Sequence, residues 1–106
     1  MYMRIVWGKI KQGAWDGYED AYKQGIAADP DTPGRIGRWL SRDTNDPDAG
    51  YAISLWEFKE AMDAHYGEGK KYQKDVYPLI EPYFINQYTT TVCEVRVAEP
   101  ADLISR

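Results

Sequence analysis

Among the residues able to move a proton near neutral pH, one stands alone: His65, the single histidine in a chain of 106 residues. Its ring titrates in the range useful for general acid–base work, which other side chains reach only when perturbed. Phe58, Ala61, Met62, His65 and Tyr66 fall at i, i+3, i+4, i+7 and i+8, the spacing of one helix face. His65 is therefore expected on the apolar face of a helix, pointing into the space between helix and sheet. The competing reading is a core histidine satisfied by its packing neighbours, the commoner fate of a lone histidine. One histidine cannot build a metal site by itself, and Glu68 follows Gly67 outside the helix, so no paired-ligand spacing accompanies it.

Aromatic residues come next. Trp56 stands at a strand-to-helix junction, where it either packs that junction or offers a flat wall to an aromatic ligand. Trp7, Trp39 and Tyr51 lie on strand patterns and are candidates for the same wall or for an interface. Arg35, Arg38 and Arg42 could bind an anion, although paired surface charges explain such residues as well. Cys93 is the only cysteine, which excludes an intrachain disulfide, and it is expected to be a buried, inert thiol. Gly34 and Gly37 lack the strand–turn–helix setting of a phosphate loop.

The elements that must carry these residues follow from periodicity. Residues 2–10 alternate and are rich in β-branched and aromatic types, a strand. Over residues 13–29 the period changes: Trp15, Tyr18, Tyr22 and Ile26 recur at helical spacing until Pro30 and Pro33 stop the helix. Residues 35–42 and 51–56 are two more strands, joined by turn formers over 43–50. A second helix is expected over 57–66. A further helical piece carries Tyr72, Val76 and Leu79 and is limited by Pro78 and Pro82. A last strand lies within 84–97, with 100–106 as a tail.

The order βαββαβ implies a four-stranded antiparallel sheet with both helices on one face, a ferredoxin-like α+β domain spanning 1–99. Strand three places Ala52, Ser54 and Trp56 on one side and Tyr51, Ile53 and Leu55 on the other, so both faces of the sheet need cover. A second copy of the chain, as a homodimer, is the simplest cover.

Composition bounds the function classes. Thirteen basic residues against seventeen acidic ones give a net charge of −4 with no basic stripe, which argues against a nucleic-acid partner. No apolar run approaches the ~20 residues of a membrane span or the core of a signal peptide, and a reducing cytoplasm fits one unpaired cysteine. Nine tyrosines and four tryptophans against two phenylalanines favour pockets and interfaces over a sealed core.

The run Thr-Pro-Gly-Arg-Ile-Gly-Arg-Trp-Leu-Ser-Arg-Asp over 32–43, followed by Tyr-Ala-Ile-Ser-Leu-Trp-Glu-Phe-Lys-Glu-Ala-Met-Asp-Ala-His over 51–65, resembles the antibiotic biosynthesis monooxygenase-like family. The resemblance implies a dimeric α+β barrel and a cofactor-independent monooxygenase acting on a phenol or quinol-like aromatic molecule. In the quinone-forming branch the motif tryptophan, here Trp56, lines the pocket with an asparagine and a tyrosine. Those two positions hold Ala52 and Met62. In the haem-degrading branch the helix tryptophan corresponds to His65, the histidine falls near Asp75, and the first strand carries an asparagine that this chain lacks.

His65 is accordingly the expected catalytic base, with Trp56, Trp7, Trp39, Tyr51, Met62 and Arg38 expected to bind substrate and no cofactor required. The alternatives are a non-catalytic dimer binding a small aromatic molecule, and a haem-binding or haem-degrading protein.

Overall fold

A computed structural model describes residues 1–85 and 88–99; the expected tail over 100–106 and part of the expected last strand lie outside them. The chain runs β1 (Tyr2–Lys9), α1 (Trp15–Ala28), β2 (Arg35–Arg42), β3 (Ala49–Trp56), α2 (Lys59–His65), α3 (Tyr77–Ile80) and β4 (Thr89–Glu94). All strand pairs are antiparallel, in the spatial order β2-β3-β1-β4. This is the expected ferredoxin-like βαββαβ architecture. β3 begins two residues earlier than the turn-rich sequence suggested, and α2 is shorter, because Phe58 is still extended.

Strand register decides what each face presents. Arg4, Val6 and Gly8 of β1 pair with Ser54, Ala52 and Gly50 of β3, and this face looks towards the helices. Trp15 of α1 packs so tightly on it that a methyl group at Gly50 would come within 2.8 Å of the indole. A core of Ile10, Trp15, Tyr18, Ala21 and Ile80 fills the space between. The buried stripe of α1 runs through Trp15, Tyr18, Ala21 and Gly25, whereas Ile26 is exposed. The reason is close approach: a Cβ at Gly25 would lie 2.9 Å from Val76.

The opposite face carries Ile5, Trp7, Ile53, Tyr51 and Trp39, with Trp39 50% and Tyr51 39% exposed. Cys93, also on this side of edge strand β4, is exposed, which corrects the expectation of a buried thiol: a strand at the sheet edge has nothing packed over it.

Two irregularities place the site. In β2 the register slips between Arg35 and Gly37, a bulge at Ile36. Two residues three apart in a regular strand face opposite ways. The bulge instead turns both Arg35, opposite Trp56, and Arg38, opposite Ser54, towards the helices. After α2, the chain does not stop at its prolines as expected. It forms a continuous ramp in which Tyr77 N–H bonds back five residues to Tyr72, Glu81 N–H four residues to Tyr77, and Phe84 N–H three residues to Glu81. Pro78 and Pro82 each sit second in their segment, where the missing N–H costs nothing.

Gly34 brings β2 against α2. Its φ is +81°, and a Cβ there would lie 2.6 Å from the Ala61 methyl. Gly34→Ala combines a left-handed alanine with overpacking and should cost about 2–4 kcal/mol in urea denaturation. A loss below 1 kcal/mol would show that the helix moves away freely.

Candidate active site

The chemistry-bearing residues meet around Asp29, which follows α1 and is fully buried. Pro30 disfavours helical geometry at the preceding residue, and Asp29 has φ −135° and ψ 64°. The chain turns there and the carboxylate points inward. Oδ2 lies 3.0 Å from Arg35 Nη1, 3.5 Å from Arg38 Nη1 and 2.9 Å from His65 Nε2. Oδ1 accepts a hydrogen bond from Thr32 Oγ1 at 2.8 Å and faces Lys71 Nζ at 3.0 Å. The backbone carbonyl of Asp29 accepts from Nη2 of both arginines at 2.7 Å. Arg38 also donates to the Ile26 carbonyl at 2.9 Å, so the C-terminal carbonyls of α1 are satisfied by the arginines of β2.

These contacts set the charge states. Burial by itself raises the Asp29 carboxyl, but hydrogen bonds from Arg35, Lys71 and Thr32, with the His65 ring, overcome it and hold the pKa at about 2. His65 is lowered from its ordinary value, first by burial and then by the positive charges of Arg35, Lys71 and Arg38, against the pull of Asp29. His65 is thus neutral near pH 7. A neutral imidazole that donates Nε2–H to a carboxylate leaves Nδ1 as its basic nitrogen, an arrangement that fixes the ring and favours the imidazolium once it forms.

A cavity opens beside this pair. Its walls include Arg4, Tyr22, Ser54, Tyr66 and Tyr72 as well as Asp29, Arg35, Arg38 and His65, and its free interior is about 30 Å³. Tyr22 is pushed up to about 12 by burial, with the Tyr66 oxygen adding to it, and burial raises Tyr72 further. Both stay protonated and serve as donors, not bases. Ser54 Oγ lies 3.0 Å from Tyr66 Oη and accepts the indole N–H of Trp56 at 2.9 Å.

Of the residues expected from sequence, His65 and Arg38 reach the cavity wall. Trp56 has no exposed surface and lies behind Ser54, orienting the hydroxyl through its N–H. Met62 is buried on α2 and borders an adjoining open groove with Arg4 and Tyr66. Trp7, Trp39 and Tyr51 do not join them: the period of two in β1, β2 and β3 sends all three to the far side of the sheet from His65. Asp75 of the π-turn is exposed, outside the cavity wall.

Sequence reasoning did not single out Asp29, Arg4, Ser54, Tyr22 or Tyr72. An aspartate between a helix end and a proline, followed after six and nine residues by arginines, was the one available signal. Ala52 brings no polar side chain to the cavity wall, whereas Ser54 and Tyr66 do. Among the described residues no group of three or more His, Cys, Asp or Glu is placed to hold a metal, and no helix is long and apolar enough to cross a membrane.

Neither a protein-family model nor a curated protein matches the chain. Solved structures do. A crystal structure of an antibiotic biosynthesis monooxygenase aligns with a TM-score of 0.74 and 22% identity over 91% of this chain and 99% of that one. A conserved protein from Methanosarcina mazei Go1 aligns at 0.75 with 14% identity, covering 91% and 94%. A variant of MhuD with two manganese protoporphyrin IX molecules bound per active site aligns at 0.64 with 19% identity, covering 90% and 94%. At these identities the likeness establishes the fold, and the chemistry must be argued from the site.

Proposed function

We propose that this chain, which has the fold of the antibiotic biosynthesis monooxygenases, is a cofactor-independent monooxygenase acting on an acidic phenol or quinol-like aromatic molecule. One observation carries the reading: a buried, neutral histidine held by a carboxylate on the wall of a cavity that also presents arginines. The acidic hydroxyl gives its proton to His65 Nδ1, and Arg4 and Arg38 stabilise the oxygen anion that results. That anion, the conjugate base of a keto tautomer with a ring CH2, carries its charge partly on that carbon, now C–H; it reduces dioxygen, and the peroxide takes its proton back from His65. A C–O bond forms, and the hydroperoxide loses water to leave a carbonyl. CH2 and O2 thus become C=O and H2O, with four electrons passing from carbon to oxygen and no cofactor consumed. Ser54 and Tyr66, aligned by Trp56, orient the ring oxygen.

The test is oxygen uptake with a panel of hydroxylated aromatic compounds, comparing the native chain with His65→Gln. Turnover that depends on His65 supports the reading; its absence across the panel removes it. A non-catalytic binding dimer is the alternative, and ligand-induced stabilisation without turnover would support that instead. A haem-binding or haem-degrading protein is the other alternative, and a Soret band on addition of haem would support it.

The proposal includes a homodimer built on the outer sheet face. Half-exposed Trp39 and Tyr51 beside Ile5, Ile53 and Trp7 form an apolar layer that no helix covers among the described residues. Sedimentation at micromolar concentration should give twice the chain mass of 12.2 kDa. A clean monomer would remove this part.

A further inference from the structure

The cavity wall holds more positive charge than a single phenolate uses. Arg4, Arg35 and Arg38 line the cavity with one carboxylate, Asp29, which Arg35 and Arg38 contact, while His65 is neutral, so among the described lining residues positive charge exceeds negative by two. Lys71 adds a further positive charge against Asp29, in a chain whose net charge is −4. Arg35 and Arg38 are committed to Asp29 and to backbone carbonyls. Arg4 is not. Among the described residues it has no ion-pair partner. Its guanidinium lies 3.8 Å over the Tyr66 ring and 5.6 Å from the Tyr72 ring centre. Stacking on the ring holds the planar group in place while leaving its N–H edge for a ligand.

Arg4 and Tyr66 also border two spaces. One is the enclosed interior of about 30 Å³; the other is an open groove of about 330 Å³ lined by Met62, Asp63, Lys70 and Val92. The interior admits polar groups of a few atoms but not a ring. A ring must lie outward, against Met62 and the exposed face of Val92.

We propose that the ligand is an aromatic ortho-hydroxy acid, with an ionised carboxylate read by Arg4 beside the hydroxyl presented to His65, and its ring in the Met62–Val92 groove. The carboxylate supplies a permanent negative charge, and the hydroxyl stands as the hydrogen-bond donor to His65. This rests on the reading above, in which His65 takes the hydroxyl proton, but it is tested by binding alone.

Salicylate and salicylamide share the ring and hydroxyl and differ in charge. Titrated into the full chain by calorimetry, salicylate should bind at least about tenfold more tightly, as a charge-assisted contact requires. Arg4→Met should abolish the difference, and Arg4→Lys should keep part of it. Equal affinities, no binding of either, an unchanged ratio in Arg4→Met, or sulfate binding as tightly as salicylate would each overturn the proposal. If Arg4→Met does not fold, the pair compared on the native chain still decides. Selective salicylate binding without oxygen uptake from any hydroxy acid would sink the oxygenase reading while leaving the carboxylate site intact.

Discussion

Asp29→Asn should destabilise the domain by about 3–5 kcal/mol, the largest loss from any single polar substitution in this molecule. The amide keeps the size and one acceptor oxygen, but it leaves Arg35 and Arg38 with no counter-charge in a buried setting. Arg35 is 7% and Arg38 17% exposed at the side chain, so water cannot take over. The pH dependence separates this from simple loss of packing. A group whose pKa is lower folded than unfolded leaves the unfolded chain holding more protons as pH falls, so stability drops. For His65 that drop begins near its ordinary 6.5 and continues to its lowered folded value. For Asp29 it runs from 3.8 to about 2 and amounts to about 2 kcal/mol. Urea midpoints measured across pH should therefore fall in two stages. Asp29→Asn should erase the acidic stage and His65→Gln the upper one. A midpoint flat from pH 7 to 5 in the native chain would contradict the buried neutral histidine.

Turnover should fall by about 10²–10⁴ in His65→Gln, the range that a positioned general base supplies. Glutamine can place its Nε2 where the imidazole Nε2 stands and so keep the hydrogen bond to Asp29, but it cannot accept the proton. Loss of rate with little loss of stability is the expected pattern, and substrate affinity should change far less than kcat. Activity that survived the substitution would move the proton to solvent or to the substrate itself, and His65 would then be a structural partner of Asp29.

Much of the fold was legible because it depends on period. The imperfect alternation of β1, the short runs of β2 and β3 with turn formers between them, and the helical spacing in α1 each stand within one segment of sequence. Met62 and His65 do share the buried side of α2, as their spacing implied, whereas Phe58, expected on the same face, precedes the helix and is exposed. The carboxylate that gives His65 its character was not legible, since Asp29 lies 36 residues away and is joined to it only by the packing of α1 against the turn after α2. Facing stayed open between pocket and interface where only a residue's type was in view. Trp7, Trp39 and Tyr51 have the chemistry of a pocket wall, yet pairing puts them on the other side of the sheet. Of the two roles open to Trp56, packing the junction or walling a pocket, the first fits its full burial, and its N–H finds Ser54.

The bulge at Ile36 has a consequence for which changes in length this chain can tolerate. A strand that loses one residue ordinarily shortens or shifts at its end, and a loop absorbs the difference. Here the extra residue keeps Arg35 and Arg38 in phase. Removing it would restore ideal pairing and so turn Arg35 to the outer face, away from the carboxylate it neutralises. Adding a second would return the strand to the opposite phase with the same result. The segment between Gly34 and Arg38 is therefore fixed in number as well as in kind. Insertions and deletions belong elsewhere, at Thr44 and Asn45 in the loop between β2 and β3, short of Asp46 and Asp48, which are tied to Lys9 and Gly13.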